Sequence, residues 1–326
     1  MSVGRIALWA GGSVAALLIV AISAFFLIFP RVAAAPDLKI EATPELVAKG
    51  DYLFNHRMAC TGCHTPELEP HRFSRVFDKA RIGAGRHMGG TAEGFPADIY
   101  APNLTPTALG QWTDGEIYRA IVSGVDNKGR ALFAVMPYPS YHILDPEDAK
   151  ALVAYIRTLP PQPVTLPRTK LPMPLPLIMR LVAANPTPET KPAATDEVAL
   201  GKYLATTGSC FECHTKRNDK GQPVGIPFAG GNEFRLPGGG LARSANITPD
   251  KETGIGGWSR AQFIARFRAM TPETAEKIVP EHGDADTEMP WSAYAGMTDE
   301  DLGAIYAYLA SLPATHAQVV TFEAPK

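Results

Sequence analysis

Two short runs carry chemistry that their residue types define. Cys60-Thr61-Gly62-Cys63-His64 and Cys210-Phe211-Glu212-Cys213-His214 hold all four cysteines of the chain. On a helical turn, residues three apart face the same way. Both thiols of a Cys-x-x-Cys-His run can therefore form thioethers with the two vinyl groups of one haem, and the histidine falls beneath the iron. Competing chemistries fit less well. Zinc-binding pairs usually lie about 15–20 residues apart, whereas these are 150 apart. A thioredoxin-like pair calls for a βαβ setting, and a two-residue loop does not favour a structural disulfide. The expectation is two covalent haems c, at Cys60/Cys63/His64 and Cys210/Cys213/His214.

Iron that shuttles electrons needs a second axial ligand, and a thioether favours its ferrous state and raises its potential. Of nine methionines, Met136 and Met289 each precede a proline and an aromatic residue at matching places in the chain. Proline disfavours helical geometry in the residue before it, which puts each Met in an extended loop able to lean over a flat ring. Met173 also precedes proline but has no counterpart, and neither do Met88 and Met297. The expected metal ligands are His64, Met136, His214 and Met289. His56, His71, His87, His142, His282 and His316 do not recur in register. His87 and His142 are rival ligands, but a solvated or core role is the simpler reading.

These residues sit in a tandem repeat. Gly50-Asp51-Tyr52-Leu53 matches Gly201-Lys202-Tyr203-Leu204, and Cys60–Thr65 matches Cys210–Thr215. Asn103-Leu104-Thr105-Pro106 matches Asn246-Ile247-Thr248-Pro249, Trp112 matches Trp258, and Tyr155 and Leu159-Pro160 match Tyr308 and Leu312-Pro313. The order never changes, and the offset drifts only between motifs, where loops tolerate insertions. Each copy needs helices to position its motif. Thr43-Pro44-Glu45 and Thr195-Asp196-Glu197 read as N-terminal signals of a helix entering the cysteine run. Thr113-x-x-Glu116 and Ser259-x-x-Gln262 read as capping boxes. A closing helix starts at Asp145-Pro146 and at Thr298-x-x-Asp301, and stops before Pro160 and Pro313. No alternating strand pattern intervenes, so each copy is read as all-α. Asn103, Trp112, Asn246 and Trp258 could hydrogen-bond haem propionates, which are otherwise partly buried charges. A purely structural turn fits them equally well.

The flanks complete the plan. Ile6–Phe29 has no charged residue and is long enough to cross a bilayer core of about 30 Å. Arg5 before it weakly favours a cytoplasmic N-terminus. Ala33-Ala34-Ala35 leaves a cleaved signal as the alternative. Residues 160–192 hold ten prolines, which read as an extended connector without regular helix or sheet. Its apolar stretch Leu175–Ala184 either packs back or docks another subunit. The expected domains are 1–31 anchor or signal, 40–160 and 195–315 haem modules, 161–194 linker and 316–326 tail. The 326 residues are 45% hydrophobic and 20% charged, which excludes wholesale disorder, a collagen-like repeat and a polytopic membrane protein. Net charge −2 without a basic stretch argues against nucleic acid. Glu281, Asp284, Asp286 and Glu288 cluster before Met289, as an acidic rim for a basic redox partner or as a solvated insertion.

The order Cys-x-x-Cys-His, Met-Pro, closing helix resembles class I cytochrome c. The fuller pattern, with Asn-x-Thr-Pro, Trp, Met-Pro-aromatic, Tyr and Leu-Pro, resembles the cytochrome c subunit of bacterial membrane-bound alcohol, gluconate and sorbitol dehydrogenases. That resemblance implies His64/Met136 and His214/Met289 as axial pairs. Those subunits typically carry three haems, and this chain has motifs for two, so the resemblance alone does not carry over their quinone-reducing role. It also implies a proline carbonyl orienting the proximal imidazole, with Pro227 in the second copy and Ile82 in its place in the first. The resulting expectation is an all-α chain of two tandem class I cytochrome c domains behind one transmembrane helix, anchored in the inner membrane with its bulk in the periplasm. It would act as an electron carrier rather than an enzyme, taking electrons from a dehydrogenase and passing them to a soluble or membrane cytochrome, an oxidase or a quinone. The alternatives are a dihaem cytochrome c peroxidase, which needs a displaceable sixth ligand, and a haem-based gas sensor, which needs an output domain.

Overall fold

The computed structural model describes residues 3–219, 221–236 and 238–325. The first two residues of the expected anchor, the last of the expected tail and the Arg5 side chain lie outside the described ones. Helix α1 (Val3–Ile28) has 26 residues, or about 39 Å at 1.5 Å each. Its window Gly11–Ile28 has a mean hydropathy of 2.4, and none of it is buried. It is long and apolar enough to cross a membrane.

Helix α2 (Pro44–Tyr52) starts where Thr43 Oγ1 accepts from Leu46 N. It runs through a wider turn, Leu53–Arg57, to α3 (Thr61–His64). A hairpin of β1 (Arg86–Gly89) and β2 (Ile99–Ala101) follows, then α4 (Pro106–Leu109), α5 (Asp114–Ser123), α6 (Tyr138–Tyr141) and α7 (Pro146–Thr158). After α8 (Leu175–Val182) the order recurs. It gives α9 (Glu197–Thr207), α10 (Cys210–His214), β3 (Glu233–Arg235), β4 (Leu241–Arg243), α11 (Arg260–Arg268), α12 (Pro272–Ala275), α13 (Trp291–Tyr294), α14 (Asp299–Ala310) and β5 (Phe322–Glu323). Both capping boxes form in full, Thr113 with Glu116 and Ser259 with Gln262.

Three expectations change. The chain is mostly helical rather than all-α, with five short strands among the described residues. Two to four residues are too few for a period-two pattern to stand out. The proline-rich connector does contain a helix, α8. Pro174 and Pro176 sit at its start, where the backbone N–H has no intrahelical partner to lose. The C-terminal tail joins a sheet, β5 pairing with β4 and Arg243 bridging Glu233 and Glu323.

Each half is built on one close helix crossing. A Cβ at Gly50 of α2 would stand 2.0 Å from the Ala151 carbonyl oxygen of α7 and 2.6 Å from Tyr155 Cβ. A Cβ at Gly201 of α9 would stand 1.9 Å from the Ala304 carbonyl oxygen of α14 and 2.8 Å from Tyr308 Cβ. Glycine inside a helix costs roughly 0.5–1 kcal/mol against alanine, and here backbone-to-backbone packing requires it.

The halves share one buried cluster that includes Leu53, Phe54 and Leu152 from the first and Leu204, Leu302 and Leu309 from the second. A reciprocal pair of polar contacts joins them. Tyr52 Oη donates to Asp301 at 2.7 Å and accepts from Thr298 N at 3.2 Å. Tyr203 Oη donates to Asp148 at 2.8 Å and accepts from Asp145 N at 3.0 Å. Asp148 also pairs with Arg57 and Lys49, each at 2.6 Å. Burial alone would raise its pKa, but these two cations hold it down at about 2.

Gly50→Ala and Gly201→Ala should each lower stability by about 1–3 kcal/mol, as overpacking does, although alanine is the better helix former. Denaturant unfolding of the two variants checks this, and unchanged midpoints would contradict the close crossing.

Candidate functional site

Both cysteine runs are helical turns at the end of a long helix. Cys63 N and His64 N donate to the Cys60 carbonyl at 3.1 and 3.0 Å, and Cys210–His214 is α10 itself. All four thiols are free. Surrounding protein raises the pKa of Cys60 and Cys210 to about 12 and that of Cys213 to about 11. Even so, Cys213 is exposed to solvent and the other three are partly so.

Each histidine is oriented by a backbone carbonyl. His64 Nδ1 donates to Pro102 O at 2.9 Å, and His214 Nδ1 to Ala245 O at 2.8 Å. With the proton on Nδ1, Nε2 keeps its lone pair for a metal. Burial lowers both imidazole pKa values, which favours the neutral form. The expected roles of Pro227 and Ile82 are therefore corrected. The carbonyl matters and the proline ring does not, and both acceptors immediately precede the repeated asparagine, which was the available signal. The segments holding Ile82 and Pro227 are tied differently. Gly83 N and Phe228 N donate to Thr65 and Thr215 Oγ1, both at 3.2 Å. The residue after each histidine thus has a role that motif reading missed.

Asn103 and Asn246 are the internal braces of these loops. Asn103 Nδ2 donates to the Gln162 and Val164 carbonyls, while its Oδ1 accepts from the Thr105 backbone and hydroxyl. Asn246 Nδ2 donates to Thr253 and Thr315, and its Oδ1 accepts from Thr248 in the same way. No amide N–H is left for a propionate, so the turn role is the one the geometry supports. Trp112 is half-buried against the core, and Trp258 is 38% exposed.

Met136 and Met289 occupy equivalent turns. Tyr138 N donates to the Met136 carbonyl at 2.7 Å, and Trp291 N to the Met289 carbonyl at 2.8 Å. Pro137 (φ −79°, ψ 46°) and Pro290 (φ −79°, ψ 64°) are the centres of inverse γ-turns. Both methionines are half-buried at the edge of the cluster that Cys60 and Cys210 also border. The rival His87 faces Asp98 at 3.4 Å.

The two sites are neighbours. Tyr294, a few residues beyond Met289, lies within electrostatic reach of all four cysteines, and burial first and those thiols second keep its phenol protonated. Ser140 Oγ, beyond Met136, donates to Glu212 inside the second cysteine run at 3.0 Å. Ser74 of the first half donates to the Met289 carbonyl and accepts from Trp291 N, both at 2.8 Å. The acidic cluster is half consumed here. Glu288 pairs with Arg75, and Asp286 with His71, at 2.6 Å each. Arg75, Arg86 and His71 converge on Glu67. An acidic rim is left only at Glu281 and Asp284, which remain exposed.

The donor set fits haem c: neutral thiol pairs, an imidazole with Nε2 freed, and a thioether on a turn. Among the described residues no three His, Cys, Asp or Glu side chains gather as a bare-ion site. Residues 47–160 match the cytochrome c family. This stretch is a cytochrome c domain. Beyond it, the chain is similar to the cytochrome c subunit of alcohol dehydrogenase (quinone) from Gluconacetobacter polyoxogenes, at 29% identity over 84% of this chain and 57% of that protein. It is similar to the fructose dehydrogenase cytochrome subunit of Gluconobacter japonicus, at 31% over 84% and 55% respectively. It is also similar to a diheme cytochrome c-type of Cereibacter sphaeroides, at 29% over 65% and 71%. The chain spans a little over half the length of the dehydrogenase subunits it matches. A cytochrome c domain implies covalent haem c.

Hydrogen bonds to Asp286 and Glu67 raise the His71 pKa to about 9, so the ring is cationic at neutral pH. The stability it contributes is complete below its ordinary value of 6.5 and is lost as pH rises through about 9. The melting temperature should therefore fall further between those pH values in the native protein than in His71→Gln. Equal slopes in calorimetry would show that the bridge contributes nothing.

Proposed function

We propose that the chain is a membrane-anchored dihaem cytochrome c of the inner membrane, with its bulk in the periplasm. It relays electrons from a dehydrogenase to a respiratory acceptor, a cytochrome, an oxidase or a quinone. Its haem modules are residues 40–160 and 195–315, with 161–194 as connector and 316–326 as tail. The observation that supports two haems is that the second cysteine run has the same surroundings as the first. The carbonyl on Nδ1, the threonine tether, the asparagine brace and the Met-Pro γ-turn all recur.

Bound haem supplies a one-electron ferric–ferrous couple. The residues of the chain hold it in place and set its poise. Cys60, Cys63, Cys210 and Cys213 would hold the ring through thioethers, and His64, His214, Met136 and Met289 would supply its protein ligands, a nitrogen from each histidine and a sulfur from each methionine. Thioether ligands would favour the reduced state, and a methionine available to each group speaks against the peroxidase alternative, which needs a displaceable ligand. The closeness of the two sites, with Tyr294 within electrostatic reach of all four cysteines, supports a relay between them.

The test is the full chain purified from membranes in mild detergent, with its co-purifying subunits identified. Two haems per chain should resist extraction into acidified acetone. Met136→Ala and Met289→Ala should each remove about half of the methionine–iron charge-transfer absorption and lower one of two potentials, because the thioether is what raises them. Unchanged absorption in both variants would overturn the ligand assignment.

A further inference from the structure

Helix α8, Leu175–Val182, is apolar all round except for Arg180. A helix of that kind is covered on every side or lies against lipid. The protein covers one side only. Met179 is buried, with its sulfur accepting from Ala134 N at 3.3 Å, and Val182 and Ala183 pack with Val125, Tyr138 and Val32. Ile178 and Leu181 remain 42% and 55% exposed, and Met173 just before the helix 68%.

Arg180 does not turn to water. Its Nη2 donates to the carbonyls of Phe26 and Phe29, and its guanidinium lies 5.0 Å from the Phe26 ring centre. Carbonyls at the end of a helix have no intrahelical partner, and α8 supplies one to the end of α1. Ala33 N donates to Asn185 Oδ1 at 2.8 Å, and Arg31 pairs with Ala184. The connector helix is thus fixed beside the point where the apolar run of α1 stops.

We infer that α8 is a second membrane contact, an interfacial helix whose Ile178 and Leu181 enter the boundary between headgroups and acyl chains. This rests on the anchor reading of α1. If α1 crosses the bilayer, Phe26–Phe29 lies at the membrane surface, and α8 bonded there shares that depth. Interfacial helices sink an apolar face about 5–10 Å into this boundary, which suits two exposed aliphatic side chains one turn apart. Because Met179 lies under Ala134, two residues before Met136, the contact also sets how the first haem module faces the membrane.

The test uses the full-length holoprotein in phospholipid nanodiscs. Nitroxide labels are placed by Ile178→Cys and Leu181→Cys, with Leu17→Cys within α1 and the exposed Val224→Cys as references. The expected result is a gain in accessibility to oxygen and a loss to a water-soluble nickel chelate at 178 and 181, relative to 224. Labels at 178 and 181 as open to nickel as 224, with 17 still shielded, would overturn the interfacial contact and leave the anchor standing. A label at 17 open to nickel would overturn the anchor reading, and this inference with it. Labels at 178 and 181 closed to both reagents would overturn lipid as the occupant in favour of a protein.

Discussion

The proposed ligand role of His64 and His214 requires each imidazole to be held at one angle while its other nitrogen is tied down, and both halves of the fold are built to meet that requirement. The bonds from His64 to Pro102 and from His214 to Ala245 fix ring and tautomer together. They work only if the loop carrying the carbonyl is itself immobile. The asparagine braces and the Thr65 and Thr215 tethers make it so. The cysteine turn must in turn keep its place, which falls to the helix before it. The α2–α7 and α9–α14 crossings hold that helix, with backbone against backbone at Gly50 and Gly201. Imidazole angle, loop brace and helix crossing form one mechanical chain, and all three links recur in the two halves.

The second constraint is the distance between the sites. The proposed relay between two cofactors calls for a fixed separation, and the halves are locked by contacts that run both ways. Tyr52 and Tyr203 each reach the start of the other half's closing helix. Ser74 holds the Met289 loop, and Ser140 bonds Glu212 between Cys210 and Cys213. The charges that looked available to a partner at Asp286 and Glu288 are neutralised by His71 and Arg75 within the chain. A buried ion pair offsets little more than its own desolvation, so apolar packing around Leu204 and Leu302 carries the cohesion and the polar contacts fix the geometry.

Much of this was legible in the sequence because it depends on short-range rules. The caps at Thr43, Asp196, Thr113 and Ser259 lie where hydroxyl or carboxylate precedes a helical pattern, and all four form. The cysteine runs, the Met-Pro pairs and the matched glycines stood out because the chain repeats them. What stayed hidden depends on contacts far apart in the chain. A strand of three residues has no period to detect, and β5 exists because β4 is beside it. The acceptor for His64 lies 38 residues away, and a backbone carbonyl has no residue signature. The pairing of Asp286 with His71 spans 215 residues, so local charge counting, which offered an acidic rim or a solvated insertion, missed that half of the cluster is paired within the chain.

The connector shows how the same physics decides a proline-rich segment. Ten prolines argue for an extended chain, and most of the segment has no regular element. Prolines 174 and 176 instead sit in the first turn of α8, where they cost nothing, and the six residues that follow are free of proline. Those six include Met179, which reaches the wall of the Met136 loop, and Arg180, which completes the end of α1. A segment meant only to span two modules would not need a helix apolar everywhere but at Arg180. Its sequence is consistent with a boundary between protein, water and a third, apolar phase, and it stands where the N-terminal helix would meet that phase.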